Sequence, residues 1–182
     1  MVKTHDIPQN TDEWMDARIG KFTGSNALKL LKYGRSDRAK AQRSSFTGNY
    51  WTKRAHQLEP QAIEAYSEAK QVEVQRPGFL TNDAFPNCLY SPDGVVPDMC
   101  TLLEVKAFKE ERHMSISRRN IPAEILAQVH FGKIIGEFNK MVLILFNPDV
   151  ENIRRSLKII NVPTDRRLEA RLRRLMSNGK RM

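Results

Sequence analysis

The chain of 182 residues fits one domain and is long enough to bury a real core. It carries 30 Lys and Arg against 21 Asp and Glu, a formal charge of +9, with a pI near 9.8. That excess favours a polyanionic partner, nucleic acid first, over an ordinary basic surface. The two cysteines, Cys88 and Cys100, lack metal spacing and exclude a disulfide framework, so a reducing compartment is expected, with a chance Cys88–Cys100 disulfide left open. The first residues have no apolar signal region, and the longest apolar run, Met141 to Phe146, is too short for a bilayer. A soluble cytoplasmic protein without membrane contact is the expectation.

In chain order, residues 9–33 read as two short helices. Thr11 is placed to cap the first, whose early acids Asp12 and Glu13 suit a helix N-terminus. Thr23 or Ser25 caps the second, which runs through Ala27, Leu28, Leu30 and Leu31. Trp14 and Phe22 are assigned to the core. Arg18 with Ser25 is either a phosphate site or a surface arginine beside a plain cap. Tyr33 to Thr47 is polar and basic, with Arg35, Arg38, Lys40 and Arg43, and reads as a loop or short exposed helix that contacts DNA phosphates or simply faces solvent.

Residues 48–70 predict a helix with an apolar stripe of Tyr50, Trp51, Ala55, Leu58, Ile63, Ala65 and Tyr66, which Pro60 either kinks or begins. Three strands follow, over Val72–Leu80, Cys88–Val96 and Thr101–Phe108, as a meander. Lys109–Asn120 is charged and aperiodic and reads as a loop, with His113 as a surface histidine. Pro122 starts a helix to about Gly136, whose Glu124, Gln128, Gly132 and Gly136 form one polar, small-residue edge suited to close backbone approach. Met141–Phe146 is a central strand buried on both faces, and Ser156–Val162 a more exposed one. Residues 163–182 form a basic helical tail, with Leu168, Leu172 and Leu175 inward and Arg166, Arg167, Arg171, Arg173 and Arg174 outward.

The chemistry gathers at Ser91-Pro92-Asp93-Gly94 and Leu103-Glu104-Val105-Lys106. Side chains alternate along a strand, so Glu104 and Lys106 share a face, and a hairpin brings Asp93 beside them. Two carboxylates make a hard oxygen site for Mg²⁺ or Mn²⁺, and the ammonium lies where it could orient or deprotonate a water. An E-x-K triplet alone is as readily a solvated strand face. Glu59, just before Pro60, is a first-turn acid or a third carboxylate of the site. Gln128 reaches into the site or makes a helix-edge hydrogen bond.

Taken together, five blocks resemble the phage lambda exonuclease-like, or YqaJ-type, viral recombinases of the PD-(D/E)xK nuclease superfamily, over roughly residues 9–147. Trp14 to Ser25 resembles the W-x3-R-x-G-x2-T-x-S block, Leu58-Glu59-Pro60 the L-E-P block, and Ser91–Gly94 with Leu103–Lys106 the catalytic blocks. Ile125–Gly136 around Gln128 resembles the Q-containing helix. Ala55 and His56 depart from the glycine and small polar residue usual before L-E-P.

The resemblance implies an α/β, restriction-endonuclease-like core, a mixed central β-sheet flanked by helices, in a single domain over 1–182. It implies that Asp93, Glu104 and the Val105 carbonyl ligate one metal, Mg²⁺ or Mn²⁺, and that Glu59 supports a second. Lys106 and Gln128 would serve the water, and Arg18, Ser25 and Ser91 would bind a phosphate. Arg35, Arg38, Arg118 and Arg119 are further candidate DNA contacts.

The implied function is a metal-dependent exonuclease acting 5′-to-3′ on double-stranded DNA ends and leaving 3′ overhangs for phage-type recombination. An endonuclease or structure-specific nuclease on the same core is the alternative, and a non-catalytic DNA-binding recombination module the alternative of another class. A single-strand annealing protein is the implied partner. The chain is shorter than lambda-type exonucleases, which leaves a monomer and a toroidal trimer both open.

Overall fold

The computed structural model describes residues 1–42 and 50–177. Arg43 and residues 178–182 of the basic tail lie outside the described residues. At the centre is a four-stranded sheet in the order β5 (Gly94–Val96), β6 (Thr101–Lys106), β7 (Lys140–Phe146) and β8 (Leu157–Asn161). β6 and β7 run parallel, while β5 and β8 are antiparallel to their neighbours, so the sheet is mixed as expected. A parallel pair needs a crossover, and α5 (Ala123–Gly136) supplies it.

Alternation along β6 and β7 sorts the core into two layers. Leu103 and Val105 with Val142, Ile144 and Phe146 pack under Leu58, Ala62, Ile63 and Tyr66 of α3 (Tyr50–Lys70). On the other face, Leu102 packs with Ala127, Phe131 and Ile134 of α5, and Met141, Leu143 and Leu145 pack with Ile125 and Val129. Hence Glu104, which follows the parity of Leu102, points toward α5. α6 (Arg166–Met176) lies outside α5 with Leu172 and Met176 buried and its arginines exposed. Among the described residues, no helix is long and apolar enough to cross a membrane.

Several expectations are corrected. A strand at the start of the chain, β1 (Val2–His5), pairs antiparallel with β3 (Phe79–Asn82). Another, β2 (Phe22–Thr23), pairs parallel with β4 (Cys88–Leu89). The expected strand over 88–96 is thus split into β4 and β5, and of 72–80 only the end is strand; Gln75 joins β5 by a single bridge to Val95. α3 runs unbroken through Pro60 instead of beginning there, and its Tyr50 and Trp51 are exposed. The aperiodic 109–120 stretch contains α4 (Glu110–Ser115), with His113 fully buried and its Nε2 2.7 Å from the Arg155 carbonyl. Cys88 and Cys100 are free thiols; burial pushes Cys88 up to about 12.

α1 (Asp12–Arg18) is capped by Thr11, whose hydroxyl accepts from the Trp14 N–H at 3.3 Å. Neither Thr23 nor Ser25 caps α2 (Ala27–Tyr33); a 3-10 turn over Gly24–Asn26 leads into it, and the two hydroxyls lie 3.1 Å apart. Glycines of the α5 edge do admit a close neighbour, but it is an aromatic ring and not a backbone. A Cβ on Gly132 would lie 2.4–2.8 Å from the Tyr90 ring, and one on Gly24 would lie 2.5 Å from the same ring's Cδ2 and Cε2.

That ring has nowhere to go. Gly132→Ala is expected to destabilise the protein on the order of 1 kcal/mol net, because overpacking of about 1–3 kcal/mol exceeds the ~1 kcal/mol that alanine gains over glycine in a helix. Urea unfolding measures it, and a midpoint at or above that of the parent would show that Tyr90 can yield.

Candidate active site

The site begins with a carboxylate that has been taken out of water. Glu104 is 1% exposed, and a buried charge is stable only when donors surround it. Three do. Lys106 Nζ donates to Oε1 at 2.6 Å and Gln128 Nε2 to the same oxygen at 2.5 Å, while the Tyr90 hydroxyl donates to Oε2 at 2.5 Å. Tyr90 is the residue that sequence reasoning missed. Its only trace in the sequence was the pair of small residues, Gly24 and Gly132, between which its ring passes.

Asp93 stands at the entry to β5, where the hairpin expected from the sequence brings it against β6. Its Oδ2 accepts from the Val105 N–H at 2.6 Å. Burial, then the charge of Glu104, hold the Asp93 carboxyl well above the usual range, against the opposing pull of Lys106 and the Val105 N–H. Burial would depress Lys106, but Glu104, Asp93 and Glu59 outweigh it and leave the ammonium raised. In this arrangement Lys106 is a cation held against Glu104 at the cleft wall.

Asp93, Glu104, Val105, Lys106, Gln128 and Glu59 line one open cleft of about 400 Å³. Asp93, Glu104 and the Val105 carbonyl offer hard oxygen donors of the kind Mg²⁺ and Mn²⁺ prefer, and the mutual repulsion of the two acids is what a divalent ion would relieve. That donor set fits the implied metal. Among the described residues, however, no three His, Cys, Asp or Glu side chains gather at metal-ligand spacing. Glu59 is the absentee: it comes from α3, on the opposite face of the sheet from Glu104, and is ion-paired with Arg76.

A second cluster adjoins the first through Ser91. Its hydroxyl accepts from Arg18 Nη1 at 3.1 Å and from the Trp14 indole at 3.0 Å. Arg18 Nη2 donates to Ser25 Oγ at 3.2 Å, and the guanidinium stacks 4.1 Å from the centre of the Trp14 ring. So Trp14, expected in the core, instead braces this cluster. Burial lowers Arg18 to about 10, and among the described residues it faces hydroxyls and a ring but no carboxylate. A half-buried guanidinium that faces hydroxyls has the donors an anion would need.

The outlying arginines divide. Arg35 is engaged within the fold: its Nη1 donates to the carbonyls of Leu175, Met176 and Ser177 at 2.8, 3.0 and 3.2 Å, closing the C-terminal end of α6. Arg38 sits exposed on a 3-10 turn over Asp37–Ala39, and Arg118 and Arg119 are exposed on the turn after α4.

The sequence pattern of the YqaJ-like viral recombinase domain matches residues 13–135, a span that holds every residue of both clusters. No curated protein sequence matches the chain. Among solved structures, the alkaline exonuclease LHK-Exo from Laribacter hongkongensis superposes with a TM-score of 0.78 at 20% identity, over 91% of this chain and 89% of that one. The same protein in complex with dAMP gives 0.78 and 20% over 92% and 89%. A phage-related exonuclease from Haemophilus somnus 129PT gives 0.60 at 13% identity, over 89% and 92%. At these identities the likeness is one of fold.

The raised Asp93 carboxyl makes a prediction about stability. Because its pKa is higher in the folded than in the unfolded chain, its contribution is present at acid pH and lost as pH rises through the folded value. Asp93→Asn keeps an acceptor for the Val105 N–H and removes that loss. In EDTA the variant should melt above the parent at neutral pH, with a gap that grows as pH rises above the ordinary carboxylate range. Melting below the parent at neutral pH would contradict the reading.

Proposed function

The chain belongs to the YqaJ-like viral recombinase family, and from that premise we propose that it is a divalent-metal-dependent deoxyribonuclease. It would degrade double-stranded DNA from its ends, 5′-to-3′, leaving 3′ overhangs for recombination. The observation that carries this reading is Ser91. Its hydroxyl belongs to the anion site of Arg18, and Asp93, two residues on, belongs to the carboxylate site of Glu104. A phosphate bound by the first cluster thus sets the chain end at a fixed distance from the second, which is what cutting from an end requires.

Within that reading, one or two ions of Mg²⁺ or Mn²⁺ held by Asp93 and Glu104 would supply Lewis-acid stabilisation of charge on the phosphate. Lys106 adds a positive charge to the same task and orients the water. Gln128 and Tyr90 keep Glu104 aimed at the cleft. Arg18, Ser25 and Ser91 take the terminal 5′-phosphate, with Arg38, Arg118 and Arg119 as exposed cations for the duplex backbone. A 3′ single strand is the substrate of an annealing protein, which makes such a protein the expected partner.

The test is digestion of one linear duplex, with and without a 5′-phosphate, beside a covalently closed circle, in Mg²⁺ and in EDTA. Metal-dependent loss of the phosphorylated linear DNA alone is expected; cutting of the circle would overturn the end-directed reading. Asp93→Ala, Glu104→Ala and Lys106→Ala should each abolish hydrolysis while retaining DNA, since retention rests on dispersed cations. Arg18→Ala should cut the preference for 5′-phosphorylated over hydroxyl ends on the order of tenfold or more. An unchanged preference would reduce the Arg18 cluster to a structural brace.

A further inference from the structure

Glu59 lines the cleft beside Asp93 and Glu104, yet its carboxylate is engaged elsewhere. Its Oε1 accepts from Arg76 Nη2, and the same guanidinium donates through Nε to the Asp93 carbonyl oxygen at 3.4 Å. Arg76 is held on both sides. Gln75 before it exchanges two backbone hydrogen bonds with Val95, at 2.9 and 2.8 Å, and Pro77 after it restricts its backbone to extended conformations. The guanidinium is thereby lodged between α3 and the segment that carries Asp93.

As a stabilising contact this pair is a weak device. The Arg76 side chain is 43% exposed against 16% for Glu59, and ion pairs open to water contribute little to stability. Its electrostatic position says more. Asp93, Glu104 and Glu59 line the cleft together with Lys106, while Arg76 reaches Glu59 from outside that lining. Lys106 is committed to Glu104. Arg76 is the counter-charge of Glu59, and Glu59 in turn acts on both Asp93 and Lys106. A divalent ion entering beside Asp93 and Glu104 meets Arg76 as its competitor for the third acid.

We propose that Arg76 is a built-in counter-cation, a positioning residue that holds Glu59 away from Asp93 and Glu104, so that its exchange for a divalent ion sets how tightly the cleft takes metal. This rests on the nuclease reading above and deepens it. Arg76 touches no reacting atom; it acts through Glu59.

The test is calorimetric titration of Mn²⁺ into the protein without DNA, which reads binding and not turnover. Arg76→Met should bind Mn²⁺ on the order of tenfold more tightly than the parent, since one positive charge leaves the site and Glu59 becomes free to turn inward. Arg76→Gln, a second neutral variant, should move the same way and serves if the methionine variant does not fold. Arg76→Lys, which keeps the charge, should stay near the parent. In a Glu59→Gln background the gain from Arg76→Met should vanish. Tight Mn²⁺ binding by the parent with no change in either neutral variant overturns the role of Arg76 and leaves the nuclease reading intact. A parent that binds no Mn²⁺, like Glu104→Gln, overturns both.

Discussion

A carboxylate that is 1% exposed has to be neutralised where it stands, and much of the molecule follows from doing so for Glu104. Its three donors come from three places: the strand itself, the crossover helix and the segment leading to Asp93. For the Tyr90 hydroxyl to arrive, its ring must cross between the 3-10 turn at Gly24 and the α5 backbone at Gly132, where no other residue type leaves room. Two glycines far apart in sequence are thus consequences of one buried charge. The packing of α5 on the sheet and the polarity of the site are a single arrangement.

Behind Glu104 its charge is met by three donors; in front of it two charged groups are held without an opposite charge to match. Asp93 carries a carboxyl pushed well up by burial and by its neighbour, and Arg18 carries a guanidinium pushed down to about 10 by burial, which among the described residues bonds to hydroxyls and stacks on an indole ring. Both conditions oppose folding, and they have opposite sign. They also adjoin, since Ser91, which accepts from Arg18, is two residues from Asp93. Under the proposed function the first deficit is made good by a cation and the second by a phosphate, so one ligand assembly relieves both strains. Destabilised groups of this kind concentrate where a fold binds something.

The elements whose pattern is local were legible in the sequence. Met141–Phe146 declared a doubly buried strand by its unbroken apolar run, and Glu104 and Lys106 declared a common face by their spacing of two. α5 was legible from Pro122 and its apolar residues, and Gln128 from its place on the edge. What was not legible depended on partners distant in sequence. β1 and β2 are too short to show alternation and exist because β3 and β4 offer edges. His113 is buried because its ring finds the Arg155 carbonyl, which no pattern in 109–120 announces. Arg35 looked like any cation of a basic loop until α6 brought its terminal carbonyls to it. The family blocks placed Glu59 in the site; only the structure shows the arginine that occupies it.

The supports of the site differ in kind, and the difference has a logic. Glu104, Lys106 and Gln128 stand on a strand–helix–strand unit whose parallel pairing runs from Thr101–Lys140 to Lys106–Leu145, with apolar packing on both faces. Nothing there can shift without breaking the core, which suits groups that must hold one geometry. Glu59 and Arg76 meet from a helix on the other face and from a loop tied to β5 by one bridge, across a contact half open to water. An ion pair so placed can exchange partners at small cost. The fold therefore separates a rigid rear, which fixes where the carboxylates point, from an adjustable rim, which governs the charge they see.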